Sequence, residues 1–163
     1  MSDYLLEKNG LPAPYPARLM GVDLGKKTIG LAVCDSQQML ATPLETIKRR
    51  KFAADMDHFL RLIEDYDIQG LVFGYPLHMN GDHSAGCDRV DSFIDEMRKH
   101  LDAKMWVSCI DERLSTVSVE GSVDVYVGKF KAKETGLTDK LAAQVILQGA
   151  LDYLARNSSQ DNA

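Results

Sequence analysis

Two apolar runs, "RLMGV" and "IGLAV", stand on either side of a reversal built from Gly25-Lys26-Lys27. Runs of this length around a glycine-bearing turn predict a β-hairpin, with strands from about Arg18 to Leu24 and Thr28 to Cys34. "QMLATPLETI" adds a third, shorter strand interrupted at Pro43, so the chain opens as an antiparallel meander. From Phe52 the period changes. Phe52, Met56, Phe59, Leu60 and Ile63 recur every three or four residues, which is one face of a helix.

"IQGLVFGYP" then reads as a buried strand, followed by a Gly/Asn-bearing loop, "YPLHMNGDHSAG", and a second helix carrying Val90, Phe93, Ile94, Met97 and Leu101. "KMWVSCIDE" is the next strand. "RLSTVSVEGSVDVY" starts a short helix that its valines and Gly121 disfavour, and a lysine-bearing loop leads to a last helix from about Thr138 to Arg156. The expected core face of that helix is Leu141, Val145, Gln148, Leu151 and either Tyr153 or Leu154. Crossover helices should set the two later strands parallel to the first. The expectation is an α/β fold with a mixed five-stranded sheet, three antiparallel strands then two parallel, flanked by helices. Residues 1–16, with Pro12, Pro14 and Pro16, read as a flexible N-terminal arm, 17–156 as one domain, and 157–163 as a disordered polar tail.

Composition narrows the class. At 163 residues, 45% hydrophobic and 26% charged, the chain is an ordinary globular domain with room for a substantial core. A net charge of −5 means that contact with a polyanion must come from local basic clusters, which counts against a nonspecific nucleic-acid coat. Cys34, Cys87 and Cys109 are widely spaced and form no CxxC pair, so they read as reduced, buried thiols. The first residues lack the basic-then-apolar layout of a signal peptide, and no run reaches the roughly 20 apolar residues of a membrane span, so the cytoplasm is expected.

The acids carry the candidate chemistry. Asp23 ends the first strand, Asp111 and Glu112 end the "MWVSCI" strand, and Asp139 lies in the first turn of the last helix. In open α/β sheets ligands bind beyond the carboxyl ends of the strands, where these acids would meet. Carboxylates brought that close raise one another's pKa or bind a cation, and hard oxygen donors without His or Cys favour magnesium or manganese. Each acid also has a plainer reading: Asp139 as a helix-dipole partner, Asp23 as a turn residue, and one of Asp111 and Glu112 as a partner for Arg113.

The basic clusters are Lys26-Lys27, the run "KRRK" from Lys48 to Lys51, and Lys129, Lys131 and Lys133. "KRRK" before a helix reads as a solvated turn. Lys129 to Lys133 precede Asp139, where a phosphate backbone would need positive charge. His78 has no partner at ligand spacing and reads as a loop residue.

Together, "GVDLGKKTIGLAVCD", "GYPLHMNG", "DERLSTV" and "TDKLAAQVILQGALDYL" resemble the YqgF family of RuvC-like proteins, pre-16S ribosomal RNA nucleases, over about Met20 to Leu154. The resemblance implies an RNase H-like fold and a metal-dependent nuclease trimming the 5′ end of the small-subunit rRNA precursor, with a pre-ribosomal particle as partner. Its motifs select Asp23, Glu112 and Asp139 as catalytic residues and as ligands of Mg2+ or Mn2+. Lys26, Lys27, Lys131 and Lys133 would then position backbone phosphates. The sequence departs from the family at Lys27-Thr28, where an arginine is common. The alternatives are a Holliday junction resolvase-like DNA nuclease, which would need a symmetric dimer, and a binding module that does not cut. The hairpin also resembles the phosphate-binding turn of actin-like ATPases, but those close two such domains around a nucleotide and this chain has room for one.

Overall fold

The computed structural model describes residues 5–7, 10–112 and 135–161. Its centre is the hairpin: β2 (Arg18–Leu24) and β3 (Thr28–Cys34) pair antiparallel, with Asp23 opposite Gly30, and β4 (Ala41–Lys48) continues the meander. The β3–β4 register shifts between Leu31 and Ala32, leaving Leu44 as the extra residue of a bulge beside Pro43. Pro43 is tolerated because β4 is an edge strand, where a missing N–H leaves no partner unpaired.

α1 (Phe52–Asp65) crosses to β5 (Ile68–Tyr75), and α2 (Ala85–Arg98) crosses to β6 (Trp106–Asp111). β5 pairs parallel with β2 and β6 pairs parallel with β5, as the crossovers require. The five expected strands are therefore present in the expected directions. A sixth, β1 (Leu5–Glu7), adds antiparallel to β6, giving the order β1-β6-β5-β2-β3-β4. This strand falls within residues 1–16, for which the sequence predicts a flexible arm. A sheet edge offers backbone donors and acceptors to any short extended segment, so three residues can pair there without a side-chain pattern that announces them. Contacts also hold residues 11 to 14. Leu11 and Ala13 pack on the core, and the Gln38 amide donates to the Pro14 and Ala17 carbonyls at 2.7 and 3.0 Å.

Strand alternation divides the core into two layers. Met20, Val22, Ile29, Leu31, Leu71, Phe73 and Val107 face α1 and α2, which contribute Met56, Phe59, Val90, Phe93 and Met97. Leu19, Ala32, Val72 and Ile110 face the last helix, α3 (Thr135–Asp161). That helix continues past Arg156 into the polar residues expected to fray, because extending an existing helix costs far less than nucleating one. Its buried face is also rotated from the expected one. Ala143, Ile146, Leu147, Ala150 and Leu151 are buried, whereas Leu141, Val145 and Gln148 are half-buried. The glycines of β2 and β3 let the helix approach the sheet closely: a Cβ on Gly21 would stand 2.7 Å from that of Leu147 and 2.8 Å from the Ala143 carbonyl oxygen. Gln148 serves the sheet edge instead, where its side-chain oxygen accepts from the Ala41 N–H at 2.9 Å and the Gln144 amide donates to the Ala41 carbonyl at 3.0 Å.

The expected short helix after β6, and the loop with Lys129, Lys131 and Lys133, lie outside the described residues. Cys34, Cys87 and Cys109 are free and buried. No helix among the described residues is long and apolar enough to cross a membrane.

Candidate active site

Asp23, Glu112 and Asp139 lie on the α3 face of the sheet at the carboxyl ends of β2 and β6, with Asp23 between the other two: its charge acts on Glu112 and that of Asp139 acts on it, although the three carboxylates do not all come within 4.8 Å of one another. Alternation along β2 buries Val22 and Leu24 against α1 and α2 and turns Asp23 to the opposite side, with Gly21. Glu112, immediately after β6, falls on the same side: a Cβ on Gly74 would overlap its carboxylate and stand 2.6 Å from Ile146 of α3. Asp111 lies opposite Tyr75 on the other face and is buried. Of the two adjacent acids, Glu112 is thus the one that joins Asp23.

Asp139 arrives from α3. Gly30, cross-strand neighbour of Asp23, lies directly under the Asp139 backbone, and any side chain there would overlap the Asp139 carbonyl. The Thr28 hydroxyl, two residues along the same face, donates to the Asp139 carboxylate at 2.6 Å. Sequence reasoning selected the acid but missed its two supports. Gly30 has a readable cause only once the helix is placed, because what it provides is absence of volume.

Electrostatics link the three. Burial pushes the Asp23 carboxyl up to about 6, with the charge of Asp139 adding to it. Burial pushes Glu112 up to about 7, helped by the charges of Asp23 and then Asp111. Buried carboxylates held at each other's expense are what a hard divalent cation relieves. The donor set, oxygen only and partly desolvated, fits magnesium or manganese in its chemistry.

A second group lies at the same end of the sheet on the other face. His83, Asp88 and Asp91 place their ligand atoms within 4.8 Å of one another. Two of these side chains also satisfy a buried phenol. The Tyr75 hydroxyl donates to Asp91 at 2.9 Å and stands 3.4 Å from His83 Nδ1. Burial first and Asp91 second hold the Tyr75 phenol well above its ordinary range. His78, in the same loop, donates its backbone N–H to the Asp82 carbonyl at 2.9 Å.

The basic residues are placed unequally. Lys26 and Lys27 are exposed at the hairpin turn between Asp23 and Thr28. Lys131 and Lys133 lie outside the described residues.

Gly74→Ala tests the Glu112 placement. The added methyl meets the movable end of the Glu112 side chain and the Ile146 tip, so the acid swings aside at modest cost in stability. Catalytic geometry tolerates less than the fold does. Nuclease rate is expected to fall about 10- to 100-fold while the melting temperature drops by only about 2–4 °C, read by single-turnover cleavage and calorimetry.

A meander followed by two parallel strands, flanked by helices, is the RuvC-like form of the RNase H-like fold. The RuvX family, Holliday junction resolvase, matches residues 17–153, and the chain belongs to it. A Methylocella silvestris protein named "Putative pre-16S rRNA nuclease" is 42% identical, covering 96% of each chain. A Zymomonas mobilis protein of the same name is 40% identical over 87% of this chain and 85% of its own. Among solved structures, Thermus thermophilus RuvC matches 86% of this chain and 96% of its own with a TM-score of 0.54 at 16% identity, a likeness of fold.

Proposed function

We propose that this chain is a cytoplasmic, metal-dependent endonuclease that hydrolyses phosphodiester bonds at the 5′ end of precursor 16S rRNA. The observation that carries the reading is the placing of Asp23 beside both Asp139 and Glu112, with Asp23 and Glu112 raised by burial and by the charge of a neighbouring acid. The names borne by relatives about 40% identical over most of the chain support the substrate.

Asp23, Glu112 and Asp139 would hold Mg2+ or Mn2+, which supplies activation of water and stabilisation of the departing oxygen. The chain's own part is to fix these carboxylates. β2 presents Asp23, Gly30 admits the α3 backbone, and Thr28 orients Asp139. Lys26 and Lys27 would position phosphates next to the scissile bond, as would Lys131 and Lys133. The family description favours one other reading, a resolvase of four-way DNA junctions.

Incubation with a 5′-extended 16S rRNA fragment, beside a four-way DNA junction, separates these. RNA cleavage with Mg2+ or Mn2+, stopped by chelator, is the expected result. Symmetric cutting of the junction with the RNA left whole would transfer the site to the resolvase reading. Binding of either nucleic acid without cleavage would replace both with a non-cutting module.

A further inference from the structure

The run "KRRK" is more than a solvated turn. Thr28 pairs with Lys48 at the end of the β3–β4 ladder, so residues 48–51 leave the sheet beside the hairpin that carries Lys26 and Lys27. Two contacts join the turns. The Arg49 N–H donates to the Lys27 carbonyl at 2.8 Å, and its guanidinium donates to the Gly25 carbonyl at 2.9 Å. The same guanidinium lies 5.7 Å from the Phe93 ring centre, which anchors it to α2. On the far side the buried Asp55 carboxylate accepts the Arg50 N–H at 3.2 Å. The backbone of the run is thus held at both ends, and Arg49 is spent on holding it.

The remaining cations point elsewhere. Lys26, Lys27, Lys48, Arg50 and Lys51 are exposed, and among the described residues none of the four lysines pairs with an acid. Arg50 approaches Asp55 only at 3.9 Å and keeps 63% of its side chain exposed. Five positive charges gathered on one edge of a chain of net charge −5, next to three acids they do not neutralise, form a surface for an external polyanion.

We propose that Lys48, Arg50 and Lys51, continuous with Lys26 and Lys27, grip the phosphate backbone of the RNA on the β4 side of the acid cluster. The inference rests on the nuclease reading for the identity of the strand, not for the existence of the surface. The rim gives affinity and register without reading bases, and it approaches the acids from the hairpin side.

The test is binding of a fluorescent single-stranded RNA from the 5′ flank of precursor 16S rRNA, in chelator so that nothing is cut, across a salt series. K48Q/R50Q/K51Q is compared with R61Q/K99Q/K104Q, which makes the same change in net charge on exposed positions away from the hairpin. The rim variant is expected to bind about 10- to 100-fold more weakly at 0.1 M salt, with the log–log salt slope smaller by about 2, since each lost single-strand phosphate contact removes about 0.7. The control should keep a near wild-type slope. Circular dichroism and melting verify that both fold. Equal slopes for the two variants would overturn the proposal, as would a loss confined to a four-way DNA junction run in parallel. Wild-type cleavage with metal is read separately: a reduced rim slope without any cleavage keeps the surface and removes the nuclease reading, and cleavage with an unchanged slope does the reverse.

Discussion

Asp23→Asn, Glu112→Gln and Asp139→Asn are each expected to lower metal-dependent cleavage by about 100- to 1000-fold or more while leaving the fold intact, measured by single-turnover cleavage and circular dichroism. The amides keep size and remove the charge that would hold the cation. For Asp23 and Glu112 the same substitutions also stabilise the metal-free protein at high pH. Both carboxyls are raised by folding, to about 6 and about 7, from ordinary values near 4. Their contribution to stability is therefore full below pH 4 and is lost as pH climbs through 6 to 7. In chelator at pH 8, each of these two variants is expected to be more stable than wild type by about 2 kcal/mol, and at pH 4 the difference should vanish. Urea unfolding at the two pH values measures it. Such gains are a mark of residues kept for chemistry at a cost to the fold.

Gly30→Ala is expected to cost about 3 kcal/mol and to remove most of the activity. The methyl would meet the Asp139 backbone carbonyl rather than a side-chain tip, so the strand or the start of α3 has to move. Displacement of the helix also pulls the Asp139 carboxylate from the Thr28 hydroxyl that orients it. A melting temperature lower by about 10 °C and a single-turnover rate down at least tenfold at temperatures where the variant is folded should appear together. Wild-type values for both would mean that α3 does not rest on this glycine. Gly74→Ala differs because its obstacle is a flexible end.

The hairpin was legible because both cues agreed: apolar runs of five residues and a glycine turn place β2 and β3 with the bounds observed. Asp23 was legible as an acid ending an apolar strand. The choice between Asp111 and Glu112 came from the family motif, and the structure supplies its cause, since alternation turns Asp111 toward α2 and Glu112 toward α3. The face of α3 was misjudged because periodicity weighs large side chains, while the helix comes closest where Gly21 and Gly30 admit its backbone at Ala143, Leu147 and Asp139. β1 escaped notice because its pairing is a backbone affair. The role of Arg49 was hidden for a similar reason: its partners are two carbonyls 22 and 24 positions away in the chain, and nothing in "KRRK" separates the residue that clamps from those left exposed.

Everything proposed for the catalytic end of the sheet depends on Asp23, Glu112 and Asp139 forming one divalent-cation site. The decisive experiment is titration of the wild-type chain with Mn2+, followed by calorimetry and by the rise in melting temperature, beside Asp23→Asn and His83→Gln. Binding is expected in wild type and in His83→Gln, with its loss in Asp23→Asn. Binding that survives in Asp23→Asn and disappears in His83→Gln would place the ion at His83, Asp88 and Asp91 instead and refute the three-acid site.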